Sequence, residues 1–153
     1  MFGKATLLPL ALGMVSASAQ VAFADTCWDH NGSLMRLVAS GNQRAFYYEQ
    51  PKPSLVRVGI ASGTLLFDGT KQGNTYQGTA RIFSSGCVPT TYRVAGPVST
   101  DQLTVTLRGQ RVVFRQCAST GKIRDDVLVF TYQSDCRVQP GAMQLPGADG
   151  QED

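Results

Sequence analysis

Tyr76-Gln77-Gly78-Thr79-Ala80-Arg81-Ile82 sets Tyr76, Gly78, Ala80 and Ile82 on one side of an extended chain and Gln77, Thr79 and Arg81 on the other. Successive side chains of a strand point to opposite faces, so a period of two marks a half-buried β-strand. The alternation recurs outward from there. Tyr92, Val94 and Gly96 alternate with Arg93 and Ala95; Leu103, Val105 and Leu107 with Thr104, Thr106 and Arg108; Leu128, Phe130 and Tyr132 with Val129, Thr131 and Gln133. Valine, threonine, tyrosine and phenylalanine suit a pleated, half-buried surface. The strands expected are Leu34–Ala39, Arg44–Glu49, Thr64–Phe67, Tyr76–Phe83, Thr91–Gly96, Leu103–Arg108, Val112–Cys117 and Val127–Tyr132. No stretch sustains a helical period.

Pairs that tolerate positive φ fall between the strands: Asn31-Gly32, Gly41-Asn42, Asp68-Gly69, Gly73-Asn74, Arg108-Gly109 and Thr120-Gly121. Pro51 and Pro53 open a loop expected to run to Gly63. Short strands with short links predict an all-β antiparallel meander of about eight strands. Such a sheet closes into a small barrel or splits into a β-sandwich. The barrel is preferred, because closing a meander of neighbours removes both exposed edges. Gly78, Ala80 and Gly96 on inward faces suit the tight curvature that closure demands.

The ends of the chain have a different character. Met1 to Ala24 reads as a cleavable signal peptide, with Lys4, an apolar run from Ala5 to Val15, and small residues at Ala22 and Ala24. The apolar run is shorter than the ~20 residues of a spanning helix, so no transmembrane segment is expected. Residues 139–153 carry Asp149, Glu152 and Asp153 with little to bury, and are expected to form a disordered C-terminal tail. One β domain, 25–138, lies between. The formal net charge of +3 is more positive within that domain, and most of its cations are arginine. They are scattered along strands, with no basic run of the kind that marks a nucleic-acid site.

Cys27, Cys87, Cys117 and Cys136 remain after export, and an even number in an oxidising compartment implies two bridges. In a closed meander the first and last strands are neighbours, so Cys27–Cys136 would staple the seam and leave Cys87–Cys117. Cys117–Cys136 is the competing pair, since both flank the last hairpin.

Several runs resemble an uncharacterised family of small exported bacterial β-domain proteins. They are Trp28-Asp29-His30-Asn31-Gly32-Ser33, Gly63-Thr64-Leu65-Leu66-Phe67, Tyr76-Gln77-Gly78-Thr79-Ala80 and Asp125-Asp126-Val127-Leu128-Val129-Phe130. The likeness spans most of Trp28 to Tyr132. It implies that Cys87 and Cys117 form a bridge separate from Cys27 and Cys136, and it brings no known activity, ligand or catalytic residue.

Candidate chemistry is sparse. His30 is the single histidine, so a Ser-His-Asp or Cys-His site would need it, and no Gly-x-Ser-x-Gly elbow is present to offer a serine. His30 with Asp29 falls short of the three or four ligands of a zinc site, and the cysteines lack close spacing. No metal, cofactor or catalytic residue is therefore expected. Asp125 and Asp126 point to opposite faces, while Glu49 and Asp68 could converge across strands as glycosidase carboxylates do. Asn31-Gly32-Ser33 is a formal glycosylation sequon that reads as a turn. Phe46, Tyr47, Tyr48, Phe67, Tyr76, Tyr92, Phe130 and Tyr132 would fill the barrel or line a cavity in it. The function expected is a periplasmic or secreted, non-catalytic binding module, with a small ligand in the barrel mouth. The alternatives are an envelope protein–protein module, such as an inhibitor of a cell-wall hydrolase, and a hydrolase of envelope polymers.

Overall fold

The computed structural model describes residues 25–136. The expected signal peptide and the whole of the expected tail lie outside the described residues. Eight antiparallel strands close into a barrel in chain order, each paired with its neighbour and the last with the first. They are β1 Thr26–His30, β2 Ser33–Ser40, β3 Gln43–Gln50, β4 Leu65–Gln72, β5 Thr75–Ile82, β6 Thr90–Pro97, β7 Thr104–Arg115 and β8 Ala118–Asp135. The seam pairs Thr26 with Asp135 and Asp29 with Thr131.

The eightfold count conceals two offsetting differences from the sequence expectation. Thr26–His30, expected to lead into the first strand, is itself β1; it is short, and burial of the disulfide sulfur beside Trp28 obscures its alternation. The expected strands 103–108 and 112–117 are one strand, β7. Arg108-Gly109 and Asp68-Gly69 are not turns either, because their glycines are needed for space and not for positive φ. A Cβ on Gly69 would overlap the Gln77 carbonyl oxygen, and one on Gly109 the Arg93 carbonyl oxygen. Gly121 does take positive φ, at 73°, but inside β8. β8 therefore runs far beyond the expected Val127–Tyr132. The loop from Pro51 contains a short helix, α1, at Pro53–Val56, with proline in its first turn where no amide donor is missed.

The barrel is filled through its middle. Phe46, Phe67, Phe130, Met35, Leu107 and Val105 are fully buried and come from β2, β3, β4, β7 and β8. Phe46 stacks on Phe130 with centroids 3.9 Å apart, and Trp28 meets Phe46 edge-on at 5.8 Å. Tyr47 faces outward instead, beneath the Arg36 guanidinium. Phe130→Ala is expected to destabilise by about 3–5 kcal/mol, the usual cost of an unfilled aromatic site. Urea unfolding followed by Trp28 fluorescence would measure it.

Disulfides join Cys27 to Cys136 and Cys87 to Cys117. Cys27 lies within β1 and pairs in register near Ser134, so the first bridge staples the seam. The second ties the β7–β8 hairpin tip to the β5–β6 loop. Gln116 and Cys117 at that tip hold positive φ, 50° and 63°, without glycine or asparagine. Two such residues in one tight turn are strained, and the bridge helps to hold them there. Two disulfides point to an oxidising, extracytoplasmic environment. Among the described residues no helix is long and apolar enough to cross a membrane.

Candidate functional site

In an up-and-down barrel alternate connections share an end. The β1–β2 turn, the β3–β4 connection with α1, the β5–β6 loop and the β7–β8 hairpin therefore surround one mouth. Here the apolar filling gives way to polar side chains. A hollow of about 230 Å³ is lined by His30, Tyr48, Leu55, Ile60, Leu66, Ile82, Phe83, Tyr92, Arg111, Asp126 and Leu128, with Arg81 at its rim.

Strand parity places each polar group. Asp126 precedes Leu128 and Phe130 on the inward side of β8, and Arg111 follows Leu107 and Gly109 on the inward side of β7. The Tyr92 hydroxyl donates to Asp126 Oδ2 at 2.5 Å. Arg111 Nε lies 3.2 Å from the same oxygen. That distance makes an ion pair, yet the buried Nε makes no hydrogen bond to the carboxylate or to any other acceptor among the described residues. The charges are therefore matched while a donor is left unmet. Across the mouth, Tyr48 is 4% exposed and lines the same hollow. Burial pushes the Tyr48 phenol up to about 12, so it stays protonated and a donor. Burial, reinforced by Asp126, also raises Tyr92.

His30 stacks on Phe130 at 4.6 Å, and its Nδ1 lies 2.8 Å from the Val129 carbonyl oxygen. A carbonyl can only accept, so Nδ1 carries the proton and Nε2 is left as an acceptor, with Asn31 Nδ2 at 3.5 Å. Burial lowers the His30 pKa, and the Val129 hydrogen bond only partly opposes this. A lowered folded-state pKa means that the unfolded chain binds the proton more readily. Stability from this group is complete above the unfolded pKa of ~6.5 and declines as pH falls through that value toward the folded one. Wild type is expected to lose more stability than His30→Gln between pH 7 and pH 5. The difference should be about 1.4 kcal/mol per unit of lowering, read from paired urea midpoints.

The other carboxylates of the sequence reading stay apart. Glu49 pairs with Arg36 and Asp68 with Arg81. Asp68 lies opposite Ala45, four positions from Glu49 along β3, which separates the two by roughly 13 Å at the strand rise. Asp125 and Asp126 do face opposite ways, Asp125 toward Gln110 on the outside and Asp126 into the mouth. Asn31 and Gly32 form the β1–β2 turn with φ of 50° and 83°, and Ser33 Oγ accepts from the Lys52 amide. His30 has no hydroxyl or thiol nucleophile in hydrogen-bond contact among the described residues. Nor do those residues contain a group of three or more His, Cys, Asp or Glu placed to hold a metal ion.

Three other hollows are larger, among them one of about 340 Å³ beside residues 108–110 and 125–127. One of about 260 Å³ is mostly apolar and lies between Ile82, Val88, Pro89, Phe114 and the Cys87–Cys117 bridge. One of about 500 Å³ crosses the outside of β1–β3, where Arg36 is already paired with Asp25 and Glu49. The mouth is distinguished from these by buried His30, Tyr48 and Tyr92 and the buried Arg111 Nε around one space. Together the fold and this end define a disulfide-closed, eight-stranded barrel with a filled middle and one polar-lined mouth. No family model matches the chain, and no curated protein matches it in sequence.

Proposed function

We propose that this chain is an exported, non-catalytic binding module of the periplasm or the extracellular space, and that it holds a small ligand in the barrel mouth. The observation that carries the reading is the buried Arg111 Nε, without a hydrogen-bond partner among the described residues and beside a hollow that Tyr48, Tyr92 and His30 also line. Leaving a buried polar group unsatisfied costs about 1–3 kcal/mol, a penalty that a bound ligand removes. Apolar walls with a few convergent polar groups are the usual make-up of a small-molecule site. The filled middle confines the ligand to the mouth and limits its size.

The test is chemical-shift mapping of the ¹⁵N-labelled protein against the low-mass fraction of a periplasmic extract. Shifts are expected at His30, Tyr48, Tyr92, Arg111 and Leu128. A response confined to the outer strand faces would refute the reading.

A protein partner is the second reading, favoured by apolar residues exposed around the same end. Val88 is 86% exposed and Ile123 64%, with Val56 and Val58 exposed on the α1 side. Exposed apolar groups clustered at one end are a mark of contact surfaces. On this reading Val88→Asp abolishes capture of an envelope protein, whereas Tyr48→Phe leaves capture intact. The ligand reading predicts the reverse sensitivity for small-molecule binding.

A further inference from the structure

We infer that the mouth selects a small monocarboxylic acid, its carboxylate held by Arg111 and the Tyr48 hydroxyl and its apolar body against Leu66, Ile82 and Leu128. This rests on the reading of the mouth as a ligand site and adds the chemical class of the ligand.

The argument begins with donors. Arg111 brings a buried Nε–H with no acceptor among the described residues, on a side chain 22% exposed toward solvent. Tyr48, in the same lining, brings a hydroxyl that burial keeps protonated. An arginine Nε–H without an acceptor, beside a tyrosine hydroxyl donor, is answered by an anionic oxygen pair, since arginine is built to meet carboxylates with two parallel hydrogen bonds. Charge gives the same direction. Asp126 is already matched by Arg111 and by the Tyr92 hydroxyl. Arg81 at the rim is neutralised by Asp68, while Arg124 lies opposite Arg111 in the hairpin register and the Lys52 ammonium reaches the β1–β2 turn at Asn31 O. A cationic ligand would approach through these two like charges. A carboxylate is drawn in by them, and clefts of one sign raise the local concentration of the opposite ion.

Size sets the body. A hollow of about 230 Å³ has room for roughly eight water-sized groups at ~30 Å³ each. That suits a short alkyl or single-ring acid and excludes a long-chain lipid. Leu66, Ile82, Phe83 and Leu128 supply the apolar wall.

The experiment titrates the ¹⁵N-labelled protein at pH 7 with hexanoate and benzoate, and in parallel with hexanamide and benzamide. The amides keep shape and lose charge. The acids are expected to shift His30, Tyr48 and Leu128 and to bind at least ten-fold more tightly than the amides. Arg111→Gln should abolish that preference. Arg111→Lys should weaken acid binding yet keep the preference, and Tyr48→Phe should weaken it several-fold. Because Arg111→Gln could unsettle the β7–β8 hairpin, Tyr48→Phe and Arg111→Lys carry the test if its spectrum is not folded. Amides that bind the mouth as tightly as the acids would overturn the carboxylate assignment and leave the mouth as a ligand site. Acids and amides that all fail to shift mouth residues, or shift only outer-face arginines, would overturn both.

Discussion

A Gly96→Val chain is expected to fail to close its barrel, with a loss of more than about 4 kcal/mol, in the range reached only by severe core or backbone disruption. Gly96 faces inward on β6, where the wall bends sharply against β7. A Cβ there would overlap the Thr106 carbonyl oxygen and crowd the Leu107 Cα. The obstacle is backbone, which no rotamer change can relieve. β6 and β7 share only Ala95–Arg108 as a regular in-strand pair, with an isolated Val98–Val105 bridge beyond. Their contact therefore depends on close crossing more than on a long ladder. On the neighbouring wall Gly69 faces Gly78, and a Cβ on Gly78 would overlap the Asp68 carbonyl oxygen. The control is Ala95→Val, one residue away on the exposed face, which should stay within about 0.5 kcal/mol of wild type. Urea unfolding by circular dichroism reads both. A Gly96→Val midpoint near wild type would mean that the strands are not packed backbone to backbone.

The second large effect is expected from the seam. Replacing both Cys27 and Cys136 by serine removes a link across 109 residues of chain. On the chain-entropy argument that costs up to about 4–5 kcal/mol, against a total stability of ~5–15 kcal/mol for a domain. Burial deepens the loss, because Cys27 is 6% exposed and a serine hydroxyl there would need a partner. β1 holds only a few pairs with β8 and shifts register between Cys27 and Trp28. The bridge is therefore a large part of what keeps the two ends of the chain together. The Cys87–Cys117 pair closes a shorter loop, with a ceiling of about 3–4 kcal/mol, and its hairpin tip can detach while the barrel stays shut. The expected order of urea midpoints is wild type, then the Cys87/Cys117 variant, then the Cys27/Cys136 variant. The reverse order would place the main closure at the hairpin.

The closed meander was legible because alternation in β5, β6 and β8 is strict and the cysteines at the two ends have one natural meeting place. What misled was glycine. Gly69 and Gly109 look like turn residues in a one-dimensional pattern. Their purpose is the absence of a Cβ where another strand's carbonyl passes, and that becomes visible only when the wall is closed. Splitting β7 at Gly109 hid Arg111, and starting the last strand at Val127 hid Asp126. Both sit at inward parity, two positions beyond Gly109 and before Leu128. Carrying the period of two past the glycine would have put an arginine and an aspartate on the core side of adjacent strands. A charged pair at inward positions is the signal that could have located the mouth. The partnership of Tyr92 with Asp126 was beyond reach, because it depends on two strands far apart in sequence meeting at one end. His30 was noticed for its uniqueness, whereas its structural place is a stacked, neutral ring at the floor of that mouth.

The most direct measurement is native mass spectrometry of the protein purified from periplasm, without reductant, before and after incubation with the low-mass extract. The account predicts one additional mass, of the size of a small organic acid, that is present in the native spectrum, lost on denaturation and reduced in Tyr48→Phe. A native spectrum showing only the bare chain, both as purified and after incubation, would contradict it.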